Sequence, residues 1–419
     1  MALEKKESYD FLDGLRGLAA LQVVFLHYFS CFLPVAADAG SVSHFGWETG
    51  FSHSILSYAI DGYSAVYLFF VMSGFVLAQS FIKSELSVWR AIAKRFVRLF
   101  VPVAVAALIA AALFPLIYPA RAAAHAISAS QWLAGVYQNP MSLRSVMKDV
   151  LLSSMLVGYN GVSLMQMAFP DAAKMFSPQG FALNAPMWTL HGEFWGSMLV
   201  LFLAVTYRRL PPVAFGMLLA VTLYWTGTSQ LSLFVIGFGM YLGRHRLLGL
   251  RGKMRVAAAI ALIGAGVYIC VHRGLPRVLA LDVWLVNHSN LRAYNDAHFE
   301  SSLGAVMVLL GVMLLPLARR LLSASPLHTL GRLSFSVYLL HFPIMLSLGC
   351  AVFALLAPHG YLMAVGVSIV TGTTATLFCA NWFERFVDAP TIQLARKLAA
   401  TGGRGKITAA SCAQKAAGN

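Results

Sequence analysis

Apolar residues run along this chain in stretches of about twenty, separated by short segments that hold most of its charge. A helix of that length crosses the hydrocarbon of a bilayer. The pattern predicts ten such helices, over 11–33, 58–82, 97–118, 187–207, 211–226, 229–243, 255–272, 301–321, 333–357 and 361–383. The fifth to seventh are short. Residues 145–168 are weakly apolar, suited to dipping into the membrane without crossing it. The expected fold is all-α and polytopic, with one transmembrane domain over 1–390 and a disordered tail over 391–419, where Gly402, Gly403 and scattered Lys and Ala replace the apolar runs. No internal repeat or appended soluble domain interrupts the pattern. The opening MALEKKESYD lacks the small-residue exit of a cleavable signal, so the first span is read as retained.

Composition agrees with a lipid solvent. Of 419 residues, 59% are hydrophobic and 11% charged, against roughly 25% charged in soluble domains. No single compact core could hide so much apolar surface. The five cysteines, Cys31, Cys270, Cys350, Cys379 and Cys412, form no CxxC pair. Neither a disulfide framework nor a metal site is expected from them.

Charge orients the stack. With the N-terminus inside, 24 of the 31 Lys and Arg fall in cytoplasmic segments, and residues 34–60 hold none. The segments after span two (Lys83, Arg90, Lys94, Arg95, Arg98) and span six (Arg244, Arg246, Arg251, Lys253, Arg255) are especially basic. That asymmetry is the positive-inside pattern, and an even span count then leaves both termini cytoplasmic. The net charge of +15 reads as topology and attraction to membrane lipid. Nucleic acid is not an expected partner, because the basic residues are spread over many loops.

Against this background a few polar residues stand out inside the spans. Arg16 and His27 are eleven residues apart, about 20° beyond three full helical turns, so they share one face about 16 Å apart. Asp13 lies one turn below Arg16. A polar stripe of this kind must face protein or a water-filled cavity, although a snorkelling arginine and a packing histidine would also give it. Glu193, in the run WTLHGEFW that opens with Trp188, begins a span from the outer side. It is expected at the depth of His27, where it could hold the imidazole; satisfaction by backbone or His191 is the plainer alternative. Ser73 and Gly74, in FFVMSGF, expose backbone to a ligand or to a packed helix. Arg95 and Arg98, in KRFVRLFVP, lie three apart just inside the cytoplasm. Their paired guanidinium groups suit phosphates, and they also suit a simple positive-inside anchor. His341 precedes Pro343 near the middle of span nine.

Taken together these residues resemble the membrane acyltransferase-3 family of polytopic bacterial O-acyltransferases. The family's arginine and histidine with ten residues between them are Arg16 and His27 in LDGLRGLAALQVVFLH. SAVYLFFVMSGF, RFVRLFVP, WTLHGEF and the run from Ser334 to Pro343 match its later motifs in order. Tyr67 stands where the family has an Asp, and the closing Glu-x-Pro is Asp388-Ala389-Pro390. The resemblance implies transfer of an acyl group, most often acetyl, from cytoplasmic acyl-CoA to a hydroxyl of a carbohydrate or lipid-linked glycan at the outer face of a bacterial inner membrane. Acyl-CoA is then a substrate, and no bound cofactor is expected. Arg16, Arg95 and Arg98, with Ser73 and Gly74, would receive the donor. His27, oriented by Glu193, would act as general base or carry the acyl group itself, with Asp13, Trp188 and His341 in support. A secondary transporter with intramembrane charges is the competing class; the crowding of arginines on one face and the missing inverted repeat speak against it.

Overall fold

A computed structural model gives the structure of the chain and describes residues 9–169, 176–227, 229–249, 252–272, 275–288 and 299–400. Among these residues the secondary structure is helical, with a single isolated bridge between Asn160 and Pro178. The first helix, α1, spans Asp10–Phe32, with Asp10 and Asp13 in its first turn, where carboxylates oppose the helix dipole. A long loop leads to α2, Gly62–Ile82, which starts on Asp61; the Asp61 carboxylate accepts from the Ser64 N–H as an N-cap. Helix α3, Val88–Ala112, ends at Leu113 and is followed at once by α4, Phe114–Ser128. The predicted third span, 97–118, therefore runs across a helix break. It also starts late, because Arg90, Lys94, Arg95 and Arg98 lie within α3.

Beyond an irregular region the chain forms α5 (Trp188–Tyr207), α6 (Pro212–Thr226), α7 (Gln230–Gly249) and α8 (Lys253–Val271). Then come α9 (Phe299–Leu314), α10 (Pro316–Leu322), α11 (Ser325–Ile344), α12 (Tyr361–Phe383) and α13 (Ala389–Ala400). All ten predicted runs fall on helix. Among the described residues, seven helices are long and apolar enough to cross a membrane, or eight if α9 and α10, bent by 96°, form one span. Pro316, which cannot donate a backbone hydrogen bond, sits at that bend. Helix α6 has only 15 residues, about 22 Å of rise and short of the hydrocarbon thickness. Helix α7 ends in the basic stretch of Arg244 and Arg246.

One region differs from the sequence reading in kind. The tail expected to be disordered from 391 begins as α13, whose Thr391, Ala395 and Ala399 are buried and spaced four apart. That stripe packs on α3, which is the stabilisation an amphipathic helix needs. Residues 401–419, Arg251 and Cys412 lie outside the described residues. The weakly apolar stretch near 145–168 forms a helix over Leu143–Lys148 and a π-helix over Asp149–Val157. It packs between α3 and α5. Buried Asp149 pins it, accepting from the Tyr159 hydroxyl at 2.6 Å and the Leu183 N–H at 2.9 Å.

Candidate active site

Helices α1 and α11 lie along each other, and the contact sets two imidazoles face to face. Nε2 of His341 is 3.0 Å from Nδ1 of His27. Nδ1 of His341 lies 2.8 Å from the Tyr338 carbonyl oxygen and 3.2 Å from that of Val337. A carbonyl only accepts, so Nδ1 of His341 carries its proton and, in the neutral ring, Nε2 is the acceptor. Nδ1 of His27 then donates to it, and in the neutral His27 ring Nε2 is the acceptor nitrogen. His341 is 1% exposed; packed in this way it fixes both the tautomer and the tilt of its neighbour.

His27 lies in the wall of a cavity of about 1040 Å³, together with Trp132, Trp188, Tyr338 and residues between 35 and 63. The Trp132 ring centroid is 5.5 Å from that of His27. The Tyr338 hydroxyl donates to the Pro186 carbonyl at 2.7 Å and meets the Thr189 hydroxyl at 2.7 Å. Among the described residues that line the cavity there is no Lys or Arg.

Glu193 does not join this site. Its carboxylate pairs with the Arg95 guanidinium instead. The reason is where α5 begins. It starts at a buried 3₁₀ turn, Ala185–Met187, within the protein. Thr189 is already level with Tyr338, one turn short of His341 in α11. Glu193 lies about 6 Å further along α5, which takes it below the imidazoles. Arg95, the eighth residue of α3, sits about 10 Å into that helix, level with Glu193. Arg98 makes a two-pronged contact with Asp388, one prong at 3.2 Å. Arg16 is an electrostatic neighbour of Arg95, Arg98 and Asp388. The five groups form a partly buried layer of three cations and two anions, held by α1, α3, α5 and the segment before α13. Asp388, with the turn that carries it, thus completes the layer in which Glu193 was found.

Three further residues have partners that the sequence did not show. Gly74 packs against the backbone of Phe234, while Gly237 of the same partner helix packs against the Val71 carbonyl. This reciprocal approach of α2 and α7 leaves the glycine no room to cradle a ligand. Ser73 is half-buried beside it. Asp13, one turn below Arg16 on α1, also faces His328 at 3.8 Å. His191, two residues before Glu193, accepts from the Leu164 N–H at 3.0 Å and contacts the Met155 carbonyl; it braces the π-helix. Sequence reasoning missed the pairing of His27 with His341, and it missed Trp132 and Tyr338. The SVYLLH run contains two of the four residues concerned, but nothing in it says which span it faces.

The chain matches the acyltransferase domain family over residues 9–378. It is 24% identical over 445 aligned positions to an O-acetyltransferase of Phomopsis amygdali, covering 93% of this chain and 84% of that protein. Shorter matches reach an acyltransferase of Cochliobolus lunatus (38% identical, 21% of this chain and 20% of that protein) and an acyltransferase of a Phoma species (31% identical, 23% and 22%). The chain thus spans only about a fifth of these two relatives. No solved structure matches.

Proposed function

The chain belongs to this acyltransferase family, and we propose that it moves an acyl group, acetyl in the first place, from cytoplasmic acyl-CoA to a hydroxyl of a carbohydrate or lipid-linked glycan on the other side of the membrane. That it is an O-acyltransferase built as a multi-pass membrane protein follows from the family and the apolar helices. The donor, the acceptor, the direction of transfer and a bacterial inner membrane as the location are our reading.

One observation carries the reading: His27, its ring held at Nδ1 by His341, stands in the wall of a large cavity. A hydroxyl is a poor nucleophile at neutral pH, and a positioned base contributes about 10²–10⁴-fold. In the proposed step the acceptor O–H gives its proton to Nε2 of His27 as its oxygen attacks the thioester carbonyl carbon. The carbon–oxygen bond forms, the carbon–sulfur bond breaks, and the leaving thiolate takes the proton from the imidazolium. The products are the ester and free CoA, and His27 is restored neutral.

The layer below supports the donor side of this reading. Arg16, Arg95 and Arg98 outnumber the two carboxylates among them by one positive charge. Phosphates entering from the basic face would compete with Glu193 and Asp388 for the same guanidinium forks. The cavity, which has acidic Asp38 and Asp61 in its lining but no described Lys or Arg, suits a neutral hydroxylated acceptor better than another polyphosphate.

The test is a sealed proteoliposome with acyl-CoA on one side and a glycan acceptor on the other. Ester formation on the acceptor side, lost in His27→Ala, is the expected result. Acceptor moving across the membrane unmodified would favour a transporter and overturn the reading.

A further inference from the structure

We infer that Trp132 sets the length of the acyl group this protein accepts, holding it to short chains. The inference rests on the proposed transfer at His27 and goes beyond it, because neither the family nor the relatives' names specify a gauge.

The acyl carbonyl has to reach the acceptor oxygen whose proton goes to Nε2 of His27, so the acyl tail must lie against whatever borders that imidazole. Besides His341, two aromatic side chains border it. The Trp132 centroid is 5.5 Å away at a tilt of 34°, and Phe342 presents an edge at 5.4 Å with its ring turned by 79°. Trp132 and Phe342 are themselves in edge contact at 6.1 Å, so they close a corner around His27. Phe342 is fully buried and belongs to the core. Trp132 is half-buried and lines the cavity. It is therefore the side chain that a longer acyl tail would have to displace.

Displacement is blocked by how its short helix, Gln131–Gly135, is tied down. The Ser130 hydroxyl, which caps that helix by accepting from the Leu133 N–H at 3.1 Å, donates to the Ser30 carbonyl of α1 at 2.7 Å. At the other end one Arg121 nitrogen donates to the carbonyls of Leu133, Ala134 and Val136, each at 3.1 Å. Cutting those bonds would strand a partly buried guanidinium and three carbonyls. The same α1 therefore carries His27 and anchors the segment that bears Trp132, which keeps base and wall in register. A rigid wall discriminates by exclusion, and each methylene it admits or rejects shifts relative rates by roughly tenfold or more.

The experiment uses the full-length protein in detergent and compares acetyl-, butyryl- and hexanoyl-CoA by thermal stabilisation and by release of free CoA. The wild type should bind acetyl-CoA best. Trp132→Ala should cut the preference for acetyl over hexanoyl by about tenfold or more, and Trp132→Phe should fall between. Should the alanine variant fail to fold, the phenylalanine variant carries the test alone. Folded variants that keep the wild-type ratio would overturn the inference while leaving the transfer reading intact. So would a uniform loss with all three donors, which would make Trp132 a support for His27. A wild type that binds no acyl-CoA of any length would instead overturn the donor assignment, and the gauge with it.

Discussion

His27 and His341 meet at 3.0 Å, Nδ1 to Nε2, and the second ring is held in turn by the Tyr338 carbonyl at 2.8 Å. The relay runs from backbone to ring to ring, and it ends on His27 in the cavity wall. His341 is then a positioning residue: it never reaches the cavity lining itself, and its effect passes through His27.

Replacing His341 by Phe should keep the aromatic volume and remove the acceptor for the His27 N–H. The expected outcome is a fall of about 10²-fold or more in kcat with little change in KM for either substrate. Steady-state kinetics on the purified variant check it. A rise in KM with kcat preserved would mean that His341 shapes the pocket and does not orient the base.

The Arg95–Glu193 pair should behave as a buried pair, with side chains only 16% and 14% exposed. Losing either partner alone strands a charge and should cost about 3–5 kcal/mol. Arg95→Met combined with Glu193→Gln should recover most of that stability, read from thermal unfolding in detergent. Donor affinity should stay low in the double variant, because the guanidinium is gone. Normal acyl-CoA binding in a stable double variant would reduce the pair to scaffolding.

Gly74→Ala separates packing from ligand binding. A methyl group there runs into the Phe234 backbone across the α2–α7 contact, so the variant should lose about 1–3 kcal/mol of stability. Its KM for acyl-CoA, measured on the folded fraction, should not move. A raised KM without loss of stability would return Gly74 to the donor site.

Orientation is tested by labelling. Cysteines at Ser87 and Ser43, both exposed, in a background without the native cysteines, should react oppositely with an impermeant maleimide. In intact spheroplasts only position 43 should label, and after lysis both should. Labelling of position 87 from outside would reverse the membrane map and remove the cytoplasmic donor.

Much of this protein is written locally. Apolar runs of helix length put helices at all ten predicted places, because hydrocarbon leaves the backbone no other way to satisfy its polar groups. The eleven-residue spacing of Arg16 and His27 put them on one face by helix geometry alone. The sequence motifs also located the residues of the charged layer. The partners were a different matter. Glu193 went to Arg95 because α5 starts at a buried turn in the cavity wall and carries Glu193 past the imidazoles, and that start is not set by hydropathy. His341 reached His27 because α1 and α11 pack face to face across more than three hundred intervening residues. Gly74 closed on Phe234, and Trp132 came to the base on a short helix tied to α1 by Ser130. A sequence fixes which residues each helix presents on a face. Which faces meet, and at what height, is decided by the packing of all the helices at once, and only the tertiary structure holds that information.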